Sequence, residues 1–263
     1  MIPAVKTMVA VEGGEVWAED RASGGDAPST GEAVVMLHPG WGDSRIWDPV
    51  LAALPRYYRV VRYDTRGYGS SPPPTASFTQ LGDLTAVLDQ RGVSRAVVVG
   101  HSGGASSAIS LALEHPGRVS ALILPAPGVQ DYPWPEDDPY WEAFETAFTA
   151  RDSEALVSLG LRTWAAASAD AAATDQIRAA VGTFLLQDDF EQPNPPAFAR
   201  MSELRVPAVV AVGDHEYPMV ADCARVIADR IPGCSLVTVP GADHLLPLRA
   251  PQLIADLISR HSS

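Results

Sequence analysis

Cysteine is scarce: Cys223 and Cys234 are the two present in 263 residues. That is too few for the disulfide frame of a small secreted domain. One falls in a predicted helix and the other in a predicted strand, and both read as buried, reduced thiols. No Cys/His spacing suits a metal, so no metal site is expected. No run of 18 or more apolar residues occurs, which leaves no membrane-spanning helix and no membrane partner. The opening stretch MIPAVKTMVAVEGGEVWAED lacks a basic region followed by a long apolar stretch and a small-residue cleavage site, so the expectation is a cytoplasmic protein. Basic charge is also short. Lys and Arg total 19 against 32 Asp and Glu, a formal net charge of −13. An acidic domain repels phosphate backbones and anionic lipid, which excludes nucleic acid as a partner. No Gly-x-Gly-x-x-Gly follows the first buried strand, so no dinucleotide cofactor is expected, nor any other cofactor. Internal repeats and low-complexity tracts are missing too.

What is present is an apolar fraction of 46% in a length that one α/β domain commonly reaches. Residues 4–11 and 14–20 alternate loosely around Gly13-Gly14 and predict a hairpin. A polar, turn-rich loop follows at 21–32. Short apolar runs at Ala33–Leu37, Arg95–Val99, Val119–Leu124 and Pro207–Val212 suit strands buried on both faces. Tyr58–Tyr63 and Leu236–Val239 complete the set. Helical patterns lie between them at Ile46–Leu54 (with Asp43 or Ser44 as N-cap), Ser77–Arg91, 103–115, Tyr217–Arg230 and Pro251–Arg260. Strands alternating with helices predict a mostly parallel central sheet with helices on both faces.

Residues 126–204 break that rhythm. They hold helical patterns, no convincing strand, and a concentration of aromatics that includes Trp134, Tyr140, Trp141 and Trp164. Prolines mark both ends. The expected organisation is a core formed by 1–125 and 205–263, with 126–204 inserted as a helical lid. Insertions in open α/β sheets sit over the carboxyl ends of the strands, where ligands bind. Those four aromatics, with Trp41, are the expected substrate-binding side chains.

The strongest chemical signal is Gly100-x-Ser102-x-Gly104. By composition alone such a pattern arises about once in ten chains of this length. Here a β-branched strand precedes it and a helix follows, which is the context the motif requires. A serine hydroxyl becomes a nucleophile when a tight strand-to-helix turn exposes and aims it and a base takes its proton. Of the six histidines, His244 is the candidate base: it lies in the loop after the last strand and before the closing helix. His38 and His101 flank the expected oxyanion loop and the nucleophile, His115 and His261 lie at helix ends, and His215 adjoins the candidate acids. Those acids are Asp214 and Glu216, both following the strand that ends at Val212, and either could orient the imidazole. An oxyanion needs two backbone N–H donors. Gly103, after the nucleophile, offers one. The loop His38-Pro39-Gly40-Trp41-Gly42 offers the other; Pro39 has no N–H, so Gly40 is the first choice and Trp41 the second.

Taken together, HPGWGDSRIW, RYDTRGYGSS, GHSGG and PGADH resemble the oxyanion loop, the following turn, the nucleophile elbow and the histidine loop of the α/β-hydrolase superfamily. The resemblance runs nearly the whole chain, and the RYDTRGYG stretch is similar to the enol-lactonase and small-esterase branches. It implies an α/β-hydrolase fold and a cofactor-free serine hydrolase with Ser102 as nucleophile and His244 as base. It also implies structural roles for Asp64 and Arg66. Relatives usually place the acid three positions after the Gly that ends the strand; counted from Gly213, that is Glu216. Asp in place of Ser102 would have marked a dehalogenase or epoxide hydrolase. Two departures stand out. Pro39 replaces the usual Gly after His38, and Gly103 replaces a larger residue, which should widen the space beside Ser102 or loosen the oxyanion hole.

The expected activity is hydrolysis of a small, largely apolar carboxylic ester or lactone through an acyl-enzyme. The same triad would also serve a cofactor-free perhydrolase, a thioesterase or a C–C bond hydrolase. A non-hydrolytic ligand-binding protein on the same fold is the alternative from a different class.

Overall fold

Valine-rich runs of five to seven residues build the sheet, and its connections decide where a ligand can sit. The structure, a computed structural model, describes residues 4–22, 32–185 and 190–262; most of the polar loop expected at 21–32 lies outside them. A hairpin opens the chain, with β1 (Val5–Val11) antiparallel to β2 (Gly14–Arg21). Then come β3 (Ala33–Leu37), α1 (Asp48–Ala53), β4 (Arg59–Tyr63), α2 (Gln80–Gln90), β5 (Ala96–Gly100), α3 (Gly103–Glu114) and β6 (Val119–Pro125). Before the next strand the described residues form α4 (Pro139–Thr149), α5 (Ser153–Trp164), α6 (Ala171–Phe184) and a 3-10 helix at Phe198–Glu203. The chain closes with β7 (Ala208–Gly213), α7 (Pro218–Arg230), β8 (Ser235–Val239), α8 (Leu246–Arg249) and α9 (Pro251–His261).

The eight strands form one sheet in the order β1-β2-β4-β3-β5-β6-β7-β8. β2 joins β4 antiparallel, and every pairing from β4 to β8 is parallel. The chain leaves β3 toward β4 on one side and returns to β5 on the other. The carboxyl ends of β3 and β5 are therefore a topological switch point, where open α/β sheets leave a crevice. Register sets Leu37 beside Gly100 there.

Alternation along the strands divides the core. Val34, Met36, Val97 and Val99 pack with Val50, Leu246 and Ile254 on one face. Val35, Leu37 and Val98 pack with Leu84, Ala108, Ile109 and Ile227 on the other. Full burial of such a side chain contributes about 1.5–3 kcal/mol. The first core continues without a break into α5 and α6 through Leu156, Ile177 and Ala180.

Among the described residues the three α-helices between β6 and β7 each begin with an aspartate cap. Asp138 accepts from Tyr140 N, Asp152 from Ala155 N and Asp170 from Ala173 N. Each such cap stabilises its helix by about 1 kcal/mol.

Several boundaries differ from expectation for identifiable reasons. The helix expected from Ser77 starts at Gln80, because Thr79 caps it through Gly82 N and Phe78 is held in a bridge to Glu191. The helix expected at Ile46–Leu54 is divided into a 3-10 turn at Ser44–Trp47, capped by Asp43, and α1, which Pro49 opens. Cys234 lies in the turn before β8 and is only partly buried, whereas Cys223 is fully buried in α7. The short α8, just beyond the histidine loop, had no expected counterpart. Among the described residues no helix is long and apolar enough to cross a membrane.

Candidate active site

Ser102 occupies the turn between β5 and α3 with φ 54° and ψ −115°. A non-glycine residue there carries backbone strain and persists only where its surroundings impose it. Those surroundings are explicit. Ser102 N donates to Pro125 O (3.3 Å), and Ser102 O accepts from Ala105 N (3.0 Å) and Gly128 N (3.1 Å). The flanking glycines follow from contact. A Cβ on Gly100 would lie 2.5 Å from Gly104 O, and one on Gly104 would lie 2.5 Å from Leu37 O.

His244 follows β8 in the loop that reaches the same edge. Its Nδ1 lies 3.0 and 3.1 Å from the two carboxylate oxygens of Glu216, and both side chains are buried. A carboxylate can only accept, so Nδ1 carries a proton. Glu216 Oε1 also accepts from Tyr217 N at 2.8 Å, which fixes the longer acidic side chain. Asp214 turns elsewhere: it is exposed and accepts from Gly241 N at 2.7 Å. Gly213 explains how the two loops come so close, since any Cβ there would collide with Ala242 O.

The turn that carries Ser102 is fastened by His101 to the loop that carries His244. His101 Nε2 donates to the carbonyl of His244 at 2.8 Å, and the two rings lie 5.0 Å apart. Burial, and then the proximity of His244, hold the His101 imidazole well below the usual range, so it stays neutral. On the far side of His244, Asp243 is fully buried and bonds Leu245 N, Arg249 Nε and Ala167 N.

The loop after β3 is also held. Thr65 N donates to His38 Nε2 (3.0 Å), so the His38 proton is on Nδ1, which donates to Pro39 O (2.8 Å). Gly40 N and Gly103 are close neighbours: a Cβ on Gly103 would have Gly40 N, at 3.7 Å, as its one neighbour within 4 Å. The glycine after the serine therefore leaves open space on the cavity floor. Asp64 accepts from Ser44 N and Ser70 N, and Arg66 forms a buried pair with Asp83.

A cavity of about 520 Å³ opens over Ser102. Gly40, Trp41 and Gly103 line it, as do Trp134, Tyr140, Trp141 and Trp164. The residues expected from sequence to contact a substrate are thus brought to one cavity. Trp164 also packs on the His244 ring at 4.7 Å, and Trp41 Nε1 donates to Tyr140 Oη at 3.1 Å. Sequence reasoning missed Ser106, the 127–132 stretch, Met219 and Val220. Ser106 was within reach of helix periodicity, since it stands one turn beyond Ser102 on α3. Among the described residues no group of three or more His, Cys, Asp or Glu side chains is placed to hold a metal ion.

Comparison with known proteins agrees with the fold. A profile described as the alpha/beta hydrolase family matches residues 34–257. A protein of Caulobacter sp. (strain K31), whose name proposes a carbamate hydrolase, RutD, is 25% identical over 250 residues, covering 86% of this chain and 88% of that protein. The enol-lactonase of Burkholderia xenovorans LB400 superposes with a TM-score of 0.79 at 21% identity, over 97% of this chain and 99% of its own. The carboxylesterase CesB (YbfK) of Bacillus subtilis superposes with a TM-score of 0.76 at 21% identity, over 99% and 92%. At these identities the two structures speak for the fold.

Proposed function

The chain belongs to the alpha/beta hydrolase family, and we propose that it hydrolyses small, largely apolar carboxylic esters or lactones through an acyl-enzyme on Ser102. The observation that carries this reading is the buried His244–Glu216 pair at the same sheet edge as the strained Ser102. In the proposed sequence, Ser102 Oγ attacks the carbonyl carbon as His244 Nε2 takes its proton. Glu216 keeps Nδ1 protonated and stabilises the imidazolium that forms. The oxyanion is received by the N–H groups of Gly40 and Gly103, with Trp41 N–H as the alternative donor. His244 then protonates the leaving alkoxide, and a water activated by the same histidine releases the acid.

We further propose that residues 126–204 act as a lid. Its rings, with Met219 and Val220 from the core, give the cavity an apolar lining, and a volume near 520 Å³ is in the range of small-molecule sites. The RutD-like relative supports a second reading, a carbamate substrate, which needs the same tetrahedral chemistry.

The test is a panel of p-nitrophenyl esters of increasing acyl length with one phenyl carbamate, run beside a fluorophosphonate probe. Wild type should cleave the short esters and be labelled, and Ser102→Ala should do neither while keeping its fold. Preference for the carbamate would favour the second reading. Labelling that persists in Ser102→Ala would move the nucleophile to another residue.

A further inference from the structure

The cavity over Ser102 has an unequal charge distribution. Six aromatic rings line it, and its one charged lining residue is Asp131; among the described residues no Lys, Arg or His side chain lines it. The surrounding chain has the same character. Residues 119–150, which run from β6 through the cavity mouth to the end of α4, contain six carboxylates and no Lys, Arg or His. One of these, Asp138, is committed elsewhere: it caps α4 and accepts from Tyr217 Oη at 2.6 Å. Asp131 is committed only in part. It is exposed at φ 63°, and Gln130 Nε2 donates to its Oδ1 at 3.1 Å. Two lining tryptophans are held in place. Tyr132 packs edge-on against Trp134 at 4.7 Å, and Trp141 Nε1 donates to Pro135 O at 3.0 Å.

We propose that the cavity mouth is a cation subsite, in which Asp131 and the faces of Trp134 and Trp141 receive an amine or quaternary ammonium group on the substrate and disfavour a carboxylate. This rests on the reading that Ser102 cleaves esters in the same cavity. A carboxylate at the rim attracts the cation from water, and indole faces stabilise it through the ring quadrupole once it is partly desolvated. The uniform acidity of 119–150 raises the local cation concentration and repels anions. Both effects weaken with salt, because the rim is open to solvent.

The experiment uses three p-nitrophenyl esters with acyl chains of equal length, ending in trimethylammonium, tert-butyl or carboxylate. Wild type should show kcat/KM about fivefold higher for the ammonium ester than for the tert-butyl ester, and lowest for the carboxylate. Asp131→Asn should lower the ammonium-to-tert-butyl ratio at least twofold. Equal rates for the three esters in wild type, or an unchanged ratio in Asp131→Asn, would overturn the subsite while leaving Ser102-dependent cleavage of the tert-butyl ester to stand for the hydrolase reading. If the tert-butyl ester is not cleaved, that reading fails separately. The subsite is then judged by phenyltrimethylammonium quenching of tryptophan fluorescence. Saturable quenching in wild type that weakens severalfold in Asp131→Asn supports it, and no quenching, or equal quenching in both proteins, overturns it.

Discussion

Strands β3, β5, β6 and β7 are buried at every position, whereas α4, at the cavity mouth, buries only Tyr140 and Ala147 among its eleven residues. The first region is held by continuous apolar packing. The second shares part of that packing through α5 and α6, but it meets the sheet edge through a few polar ties. Gln176 Oε1 accepts from Asp43 N (2.9 Å) beside the oxyanion loop. Asp138 accepts from Tyr217 Oη beside the acid. Asp243 accepts from Ala167 N beside the base, while Arg249 reaches Asp170 and the Ser168 carbonyl. The ties at Asp43, Tyr217 and Asp243 each end within three residues of a group in the proposed chemistry, and Arg249 is itself bonded to Asp243. The difference teaches that the sheet makes the site rigid and strained, while the helical segment shapes the cavity and is registered to the site at three points.

If chemistry resides in the sheet-edge loops, the largest effect should come from the acid. Glu216→Gln should lower kcat by about 10⁴, the loss seen when a triad acid is replaced by its amide, with little change in melting temperature. Asp214→Asn should do far less. The reverse ranking in steady-state kinetics would break the assignment.

The next largest effect should come from a tie. Gln176→Leu leaves Asp43 N buried without its acceptor, so stability should fall by about 1–3 kcal/mol, and kcat should fall as the oxyanion loop loosens. Denaturant melts paired with kinetics check this. An unchanged kcat would mean that α6 supports the fold without registering the site.

A smaller effect tests the strain. Ser102→Gly should be inactive yet melt above Ser102→Ala, by up to about 1 kcal/mol, because glycine accepts φ 54° freely and alanine does not. Equal melting would mean that the turn stores no strain at this position.

A further effect is in pH. Burial keeps His101 neutral in the folded protein, whereas the unfolded chain takes a proton near the ordinary value of 6.5. The unfolded state therefore binds more protons as pH drops below that value, and stability falls with decreasing pH. His101→Gln keeps an N–H for the His244 carbonyl and should flatten that slope between pH 6.5 and 5. A slope that survives the substitution would assign it to other groups.

Much of this was legible in the sequence, for local reasons. Gly100, Gly104 and Gly213 are needed where backbones nearly touch, so the turns that carry Ser102 and Glu216 were marked by residue type. Counting from Gly213 reaches Glu216, whose carboxylate accepts from His244 Nδ1. The valine runs gave the strands because strands buried on both faces leave no other composition. The ties were not legible. Asp43 and Gln176 are 133 positions apart, and a buried Gln in α6 looks like any polar helix residue. Nor was the Phe78–Glu191 bridge, whose two strand-like residues are too few to show a period. Nor was Asp131 legible, because its position at the cavity mouth depends on how β6 exits the sheet.

The central claim is that an acyl group passes through Ser102. The most direct measurement is a rapid quench of wild type with excess p-nitrophenyl acetate, followed by mass analysis of the intact protein and its peptides. The account predicts a burst of p-nitrophenol matched by one acetyl group on the peptide that contains Ser102, and neither in Ser102→Ala. Turnover with no adduct at Ser102, or a burst that survives in Ser102→Ala, would contradict it.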